Sequence, residues 1–444
     1  MTDPHRRRRA RTFRSIAAIV DACAQDGATV IARGAGGSMG DAAMGAAAMG
    51  AADGGVLEVG GLDRFHHADW DAGALVVEPG VTFRDLFRTA GPRGWVPAST
   101  PRRSGATLGG AFAADAHGTD HRRVGGFSRA VAAIELRTAS GAALFCNRDQ
   151  NADVFRATVG GLGATGVIER LHLRLAPSPG GVVRTRIAPV DGLDRAIDAL
   201  EDQARAYSVA YWGDLCDAES LETVKGALAV TETIDDAPPI APDAWRAFTA
   251  VPAHRAAPIF TSHTNKMINR VYRAVLRRAA APIETPLRAH LCPWDRAGDL
   301  RRLYAESRIA SYAFVVPRRA RRRIWTIVEG LQRAGAAPYR IVGMLMREGE
   351  GLLSCGVADG VGVRIEMPST PQARRALDEA DARVADAGGR VRLAEDGRLG
   401  PTAFRAMYGE AGDRMDAMMR RLDPRGVFGS AATRRLGLGA RGDG

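Results

Sequence analysis

Apolar and polar positions recur along this chain with two different periods. Ser15–Gln25 is apolar at every third or fourth position, which predicts a helix, and the continuous apolar run Ala28–Ala32 predicts a buried strand. The same patterns predict helices at 83–89, 193–207 and 270–281, a helix that ends at 334, and a helix at 371–387. They predict strands at 56–59, 75–78, 182–187, 312–317, 339–346 and 361–367, and a strand that ends at 175. Mixed elements in this order indicate an α+β protein.

Turn-forming and capping residues divide these elements into groups. Pro177–Gly181 is a run of turn-forming residues, and we place a domain boundary there. Thr82 is suited to cap the N-terminus of the helix that follows it. Gly388-Gly389 is suited to end the helix that precedes it. Between these two boundaries we expect an α+β domain built on an antiparallel sheet.

The most unusual stretch is Gly105–Ser128, which is rich in glycine and other small residues and contains His117 and His121. Glycine has no Cβ and tolerates positive φ, so backbone amides can come close to a bulky ligand. A stretch with so few large side chains buries little by itself. We therefore interpret it as a wall moulded to a flat cofactor. Two further glycine-rich loops, Arg33–Asp41 and 160–166, support this interpretation.

A set of short motifs carries a resemblance to a known family. The motifs are Arg33-Gly34-x-Gly36-x-Ser38-x-Gly40-Asp41, Trp95-Val96-Pro97, Gly109-Gly110-Ala111, Asp115-x-His117-Gly118, Thr158-Val159-Gly160-Gly161-x-Gly163 with Thr165-Gly166, Phe404-x-Ala406-Met407-Tyr408, and Asp423-Pro424-x-x-Val427-Phe428. Their order and spacing resemble the FAD-binding domain of the vanillyl-alcohol-oxidase (PCMH-type) superfamily, and within it the decaprenylphosphoryl-β-D-ribose 2′-oxidase branch. The resemblance covers the first ~175 and last ~60 residues, and a shared fold does not by itself define a function.

The resemblance implies a division of the chain and a cofactor. It divides the chain into a basic tail at 1–14, an FAD-binding domain at 15–178, a substrate or cap domain at 179–388 and a C-terminal segment at 389–444 that returns to the FAD domain. The fold class is thus a two-part FAD-binding domain plus an α+β cap domain with an antiparallel sheet. Relatives with covalent flavin carry a histidine at the position of Gly37, so we expect non-covalent FAD.

The cofactor site implied by the resemblance is made mainly of backbone. The loop Arg33–Asp41 corresponds to the one that wraps the FAD pyrophosphate, where consecutive amides, the hydroxyl of Ser38 and the charge of Arg33 suit phosphate oxygens. The cofactor-binding residues carried over are Arg33, Gly34, Ala35, Gly36, Gly37, Ser38, Met39, Gly40, Thr107, Gly109, Gly110, Ala114, His117, Gly118, Gly163, Gly166 and Val167.

On the substrate side, the chain departs from the branch that it resembles. Polar or reactive groups of the branch fall on Ala313, on Met346 or Arg347, and on Arg364, Arg392 and Glu395. The change at 395 replaces a lysine by a glutamate and so reverses the charge. We predict that Arg347, Arg364 and Arg392 bind the substrate, and that the lipid-linked ribose of the branch is not accepted.

Three side chains are candidates for catalysis. His117 either lies beside the isoalloxazine, where an imidazole can orient a substrate hydroxyl, or only shapes a tight turn. Glu395 either serves as the general base for a carbinol proton or pairs with Arg392. Tyr408 either lines the pocket or packs in the core.

Composition and charge limit the other classes of function. The 444 residues are 46% hydrophobic and 25% charged, which is ordinary for a globular protein with room for two or three domains. No apolar run approaches the ~18–20 residues of a membrane span. Five scattered cysteines without CxxC spacing argue against a disulfide framework or a zinc site, and we expect no metal.

The net charge of +11 is carried almost wholly by arginine. The cluster Arg6–Arg9 either touches anionic lipid or nucleic acid, which leaves a peripheral membrane contact open, or is a frayed chain end. The basic helix at 270–281 has no interleaved aromatic platform, so we expect no nucleic-acid binding. No apolar signal region follows the first arginines, and a cytoplasmic location is the default expectation.

The resemblance therefore implies an FAD-dependent oxidoreductase acting on CH–OH donors. We expect it to oxidise a secondary alcohol of a small sugar or sugar-like substrate to a ketone by hydride transfer to flavin N5. One alternative is an aldonolactone or alditol oxidase, although the HWxK-type motif of many such enzymes is missing. Another is a flavin-fold protein that has lost catalysis and only binds.

Overall fold

The computed structural model describes residues 7–9, 13–44, 54–203, 205–241, 262–278, 281–297 and 309–439. Its strands are β1 (Arg7–Arg9), β2 (Thr29–Arg33), β3 (Gly54–Glu58), β4 (Phe65–Asp69), β5 (Ala74–Val77), β6 (Trp95–Val96), β7 (Val131–Arg137), β8 (Ala143–Asn147), β9 (Val167–Arg174), β10 (Ala176–Pro177), β11 (Val182–Pro189), β12 (Ser208–Asp214), β13 (Lys225–Thr233), β14 (Ile283–Pro286), β15 (Ile309–Pro317), β16 (Arg340–Met346), β17 (Gly360–Pro368) and β18 (Arg390–Val391).

Helices cover the faces of the sheets. They are α1 (Phe13–Gln25), α2 (Phe83–Ala90), α3 (Leu108–Ala113), α4 (His121–Val124), α5 (Ala152–Thr158), α6 (Leu193–Asp202), α7 (Ser262–Arg278), α8 (Leu287–Leu291), α9 (Arg323–Arg333), α10 (Pro371–Asp386), α11 (Pro401–Leu422) and α12 (Ala431–Arg435). The helix predicted at 270–281 begins earlier, at Ser262, and the one predicted at 193–207 ends earlier, at Asp202.

The first sheet has three parallel strands in the order β1-β3-β2. Helix α1 packs against it and buries Ile16, Val20 and Cys23 in a small separate core. The frayed chain end expected for the basic tail is wrong for Arg7–Arg9, because their backbone pairs with the edge of β3. The rest of the predicted tail, apart from the start of α1, lies outside the described residues.

The second sheet has five strands in the order β4-β5-β9-β7-β8, and all its neighbouring strands are antiparallel. Strand β9 alternates between buried and partly exposed residues at its C-terminal end, as expected for a strand that ends at 175. Helix α3, from the glycine-rich stretch, packs on β9. The capping prediction for Thr82 is confirmed: its hydroxyl accepts from the Asp85 N–H, and Asp85 accepts from the Thr82 N–H.

The third sheet has eight antiparallel strands in the order β14-β11-β13-β12-β16-β17-β15-β18. It begins at Val182, directly after the predicted domain boundary. Helices α6 and α10 pack on it, and α7 packs against strands β11 and β13. Helix α10 ends as predicted: Gly388 has φ 69°, and the Gly389 N–H donates to the Val384 carbonyl at 2.8 Å.

The C-terminal segment touches both the first and the third sheet. Strand β18 extends the third sheet, where Val391 pairs with Phe314. Further along, the Val30 N–H of the first sheet donates to the Val427 carbonyl at 2.7 Å. Arg435 then binds the carboxylate of Asp41 through Nε and Nη2 at 2.9 and 2.7 Å. The C-terminal segment thus connects the loop after β2 to the third sheet.

Candidate active site

A first cavity lies among the three glycine-rich loops. Of the predicted cofactor-binding residues, those that line it are Gly34, Ala35, Gly36, Gly37, Ser38, Met39, Thr107, Gly109, Gly110, Ala114, His117, Gly163, Gly166 and Val167. Nearly all are glycine or other small residues, so the wall consists largely of backbone. A flat cofactor can approach such a wall closely and bind its amides.

Two glycines in this wall show why larger residues do not fit. Gly36 has φ 58°, and a Cβ there would lie 2.5 Å from Nε of Arg33. Gly166 has φ 146°, and a Cβ there would lie 2.4 Å from the Arg137 carbonyl oxygen. Gly37 differs from both, because a Cβ at this position would meet no atom within 4 Å. A side chain at Gly37 would therefore enter open space in the cavity.

Three predicted cofactor residues do not line the first cavity. The guanidinium of Arg33 lies against Gly36 and fills the space beside that turn. Gly40 packs on the C-terminal segment, where a Cβ would lie 2.4 Å from the Asp396 carbonyl oxygen. Gly118 lines the neighbouring cavity instead.

The hydroxyl of Ser38, which was expected to suit phosphate oxygens, binds a backbone carbonyl of the protein. It donates to the carbonyl of Ala394, and the Gly40 N–H donates to the same carbonyl at 3.3 Å. These two bonds hold the loop after β2 against the C-terminal segment. The loop's shape therefore depends on residues more than 350 positions away along the chain.

A second cavity lies between the third sheet and helix α7. Its walls are mainly apolar and include Val342 and Met344 from β16, Ala313 and Val315 from β15, and Leu276 from α7. Alternate residues of each strand face this cavity, because successive side chains of a strand point to opposite faces. This cavity extends across six neighbouring strands of the third sheet, β11, β13, β12, β16, β17 and β15.

The two cavities share five lining residues: Arg102, His117, Trp294, Arg364 and Arg392. The indole of Trp294 lies between two guanidinium groups, 5.6 Å from that of Arg102 and 4.9 Å from that of Arg364. A redox cofactor in the first cavity and a substrate in the second would meet at this junction. The junction is therefore the candidate site of chemistry.

His117 is buried at the junction, with 9% of its surface exposed. Burial lowers the pKa of its imidazole well below 6.5, and the charges of Arg392, Arg364 and Arg102 together with His121 lower it further. The two histidine rings meet edge to face, with centroids 4.9 Å apart. Among the described residues, none forms a hydrogen bond with Nδ1 of His117. The ring is thus a neutral group able to accept a hydrogen bond from a ligand.

Glu395 lines the first cavity, and its carboxylate binds the side chains of two arginines. Its carboxylate lies 2.7 Å from Nη2 of Arg364 and 2.7 Å from Nη1 of Arg392. Burial raises the pKa of the carboxyl, but Arg364 and Arg392 outweigh burial, and the net shift is downward. A carboxylate of low pKa that is already bound by two guanidinium groups accepts protons poorly. The geometry favours the ion-pair alternative, and the role of Glu395 as a general base stays a prediction.

Tyr408 lines neither of the two cavities, which favours the core-packing alternative over the predicted catalytic role. Its hydroxyl donates to the Val391 carbonyl at 2.8 Å, and its ring stacks on Phe404 with centroids 5.1 Å apart. Burial raises the pKa of its phenol well above the usual value. Tyr408 is a core residue that anchors β18 to helix α11.

Arg347 also lies away from the second cavity, contrary to the substrate-binding prediction. Its Nη1 donates to the Arg123 carbonyl at 3.1 Å, and its backbone N–H donates to Nδ1 of His121 at 3.1 Å. Its neighbour Met346 lines the cavity instead. The sequence left open whether Met346 or Arg347 faces the substrate side. The alternation of side chains along β16 places Met346 in the cavity. The other two predicted substrate residues, Arg364 and Arg392, do line the second cavity.

Sequence reasoning missed two residues of the junction. Neither Arg102 nor Trp294 was among the predicted site residues, and Trp294 belongs to the middle of the chain, which the family resemblance does not cover. The structure joins them: the Trp294 N–H donates to the Arg102 carbonyl at 3.2 Å. Asp295 fixes the same contact by accepting from the Ser104 N–H at 3.0 Å. In the sequence, the adjacent residues Trp294 and Asp295 lie outside every predicted helix and strand. They were the available signal for this part of the site.

Within the part of the chain that the structure describes, no group of three or more His, Cys, Asp or Glu side chains is arranged to hold a metal ion. The helices in the same described ranges include none that is long and apolar enough to span a membrane.

Comparisons with known proteins show which proteins this chain resembles. The family model described as "FAD binding domain" matches residues 4–147. The chain is 29% identical over 434 residues to decaprenylphosphoryl-beta-D-ribose oxidase of Mycolicibacterium smegmatis, covering 95% of this chain and 92% of that protein. It is 32% identical over 389 residues to an uncharacterised protein in the mprA 5′ region of Streptomyces coelicolor, covering 81% of this chain and 100% of that protein. A mouse L-gulonolactone oxidase is 30% identical over 122 residues, 28% of each chain.

The backbone-walled cavity and these relatives define an FAD-dependent oxidoreductase. More narrowly, the chain belongs to the PCMH-type FAD oxidoreductase family. The first cavity can accommodate FAD, because Gly37 faces open space in a wall of small residues. That wall leaves room and amide donors for FAD.

Proposed function

We propose that this enzyme oxidises a secondary alcohol of a sugar-like substrate to a ketone. The observation that carries the proposal is the position of His117, which lines both cavities and has an Nδ1 that accepts from no described residue. When bound, FAD accepts the hydride that leaves the carbinol carbon. The protein must then hold that carbon at the junction and receive the hydroxyl proton.

His117 is our choice for the residue that receives this proton. The imidazole is neutral because burial and the neighbouring arginines lower its pKa, so its nitrogen accepts the hydroxyl hydrogen before any transfer. Low basicity makes it a modest base. Its main contribution is therefore to orient the hydroxyl and to take the proton as the C–H bond breaks.

We further propose that the substrate differs from that of decaprenylphosphoryl-beta-D-ribose oxidase. Ala313, Arg364 and Arg392, which replace groups of the resembled branch, all line the second cavity. Replacement of the polar or reactive groups of the branch by one alanine and two arginines changes both the hydrogen bonds and the charge offered to a substrate. Turnover of the lipid-linked ribose at a rate comparable to that relative would contradict this part.

Non-covalent attachment of FAD is also part of the proposal. Gly37 stands where a linking histidine would be expected, and glycine has no nucleophile. Acid precipitation should release all the flavin into the supernatant. A pellet that stays yellow after washing would contradict the proposal.

The decisive experiment is anaerobic mixing of the purified yellow protein with a panel of polyols, sugars and sugar acids. A genuine substrate should bleach the flavin absorbance and yield a ketone, and deuterium on the carbinol carbon should slow the bleaching. Bleaching by aldonolactones alone, or by a primary alcohol with formation of an aldehyde, would favour the aldonolactone or alditol oxidase alternative. Failure of every secondary alcohol to bleach the flavin would contradict the proposal.

A further inference from the structure

Helix α7 carries polar residues on its buried side and apolar residues on its exposed side. Asn265 and Asn269 are buried. Met267, Val271 and Val275, in contrast, are 62%, 60% and 59% exposed. A surface helix of a globular protein normally turns its apolar side to the core and its polar side to water. The orientation of α7 is the reverse, which marks its outer side as a contact surface.

The contacts on the inner side fix this orientation. Nδ2 of Asn269 donates to the carboxylate of Asp214 at 2.8 Å and to the Tyr339 carbonyl at 2.6 Å. One turn further along, the ring of Tyr272 meets that of Trp212 edge to face, with centroids 4.9 Å apart. Tyr272 also lines the second cavity. The helix cannot turn its apolar side inward without breaking these contacts.

A basic row lies beside the exposed apolar row on α7. The basic row consists of four residues spaced four, three and four positions apart: Lys266, Arg270, Arg273 and Arg277. Residues at this spacing are neighbours along one side of a helix. The apolar row repeats the spacing one position later, with Met267, Val271 and Ala274, and it ends at the basic residue Arg278.

The outer surface of α7 keeps a positive charge when its ion pairs are counted. The described pairs are those of Lys266 and Arg270 with Asp217, of Arg273 with Asp214, and of Arg277 and Lys225 with Asp191. Together with Arg278, six basic side chains are thus matched by three carboxylates in these pairs.

The shape of this surface suits a lipid bilayer better than a protein partner. A stable protein interface buries about 800 Å² on each side, and a single row of a few short side chains offers much less. A bilayer accepts a helix that lies in its plane, with the apolar row among the acyl chains and the basic row at the headgroups. Anionic headgroups are complementary to the charge of α7.

We infer that the enzyme docks on anionic membrane surfaces through the outer side of α7. The apolar row enters the boundary between headgroups and acyl chains, and the basic row binds the headgroups. Because Tyr272 and Leu276 of the same helix line the second cavity, docking places one wall of that cavity next to the bilayer. The inference is independent of the reaction proposed above.

Flotation of the FAD-loaded enzyme with vesicles tests this inference. One set of vesicles contains equal parts of phosphatidylglycerol and phosphatidylcholine, and the other contains phosphatidylcholine alone. The wild type should float with the anionic vesicles and bind the neutral ones at least about tenfold more weakly. Added salt should weaken the binding, since it screens the exposed charges.

Two double variants locate the contact on α7. Met267→Ser combined with Val271→Ser removes apolar surface and should weaken binding to anionic vesicles at least about tenfold. Arg270→Gln combined with Arg278→Gln leaves Lys266 to pair with Asp217 and should weaken it about tenfold. Flavin content and thermal unfolding should stay at wild-type values in both, because these side chains are exposed.

Phe145→Ser is the matched control, since it removes an exposed apolar side chain from β8 in another sheet and should bind vesicles as the wild type does. Absence of flotation with anionic vesicles would overturn the inference. Wild-type binding by both α7 double variants would also overturn it and would place the membrane contact elsewhere on the chain. Dimerisation in analytical ultracentrifugation that the serine variant abolishes, without any vesicle binding, would assign the surface to a second copy instead.

Discussion

The two cavities of this enzyme are built in opposite ways. The cofactor cavity is walled by backbone, and its critical positions are glycines such as Gly36 and Gly166, where any Cβ would collide. The second cavity is walled by side chains from a sheet, a helix and several loops, and two of its arginines, Arg364 and Arg392, share the carboxylate of Glu395. The shape of the first cavity depends on residues without large side chains. The shape and charge of the second depend on ion pairs between side chains.

This difference determines what a substitution does in each place. A side chain added to the cofactor wall excludes the ligand or strains the backbone, and its effect is steric. A side chain removed from the junction leaves a buried charge without its counter-charge, and its effect is electrostatic. Substitutions in the two cavities can therefore distinguish the steric effect from the electrostatic one.

The largest effect is expected from Gly37→Leu. Its side chain would enter the open space of the first cavity, so FAD occupancy should fall at least about tenfold while the apoprotein stays folded. Flavin content of the purified protein and its thermal unfolding are the measurements. Gly105→Leu is the control, since a Cβ at Gly105 also meets no atom within 4 Å but the residue does not line this cavity. Equal FAD loss in both variants would show that the cavity is not the cofactor site.

His117→Ala should bind FAD and slow substrate-driven flavin reduction by about 10²–10⁴-fold, the usual contribution of a positioned proton acceptor. Since burial and the arginines hold its pKa well below 6.5, kcat/KM of the wild type should show no loss of activity between pH 7 and 6 from this residue. Stopped-flow reduction and a pH profile measure both. His172→Gln, on β9 and paired with Glu135, is the control. Wild-type reduction by the Ala variant would exclude His117 from the chemistry.

Glu395→Gln should act mainly on stability. Loss of the carboxylate leaves Arg364 and Arg392 without their shared counter-charge, and the free energy of unfolding should fall by about 3–5 kcal/mol at neutral pH. The folded-state pKa lies below the ordinary 4.5, so this stabilisation is fully present above pH 4.5 and is lost as the pH falls through the lower folded-state value. Urea unfolding of wild type and variant should therefore converge in acid.

Glu329→Gln is the matched control for that experiment. Glu329 pairs with Arg333 on the surface of α9, and its loss should cost less than about 1 kcal/mol. If Glu395→Gln kept wild-type stability but slowed flavin reduction about 10²-fold or more, Glu395 would be the base after all.

The smallest effect is expected from Tyr408→Phe. It removes the hydrogen bond to the Val391 carbonyl and should lower the free energy of unfolding by about 1 kcal/mol. Flavin reduction should stay at the wild-type rate, because Tyr408 lines neither cavity. A marked fall in the reduction rate would return Tyr408 to the active site.

The sequence by itself determined the cofactor side of this protein. Glycine-rich loops, the cap at Thr82 and the helix end at Gly388 all reflect local backbone demands that only a few residue types meet. Because such demands act within a few residues, they can be read without knowing what packs against them. FAD binding and the oxidoreductase class followed from these loops and the family resemblance.

Only the tertiary structure decided the substrate side. Strand alternation placed Met346 in the cavity and Arg347 outside it, and a shift of one residue would have reversed them. Likewise, Glu395 proved to be bound by Arg364, 31 positions away, and Trp294 by the backbone of Arg102. Charges act through space, so their partners and pKa values depend on which strands and loops meet, and that information is spread over the whole chain.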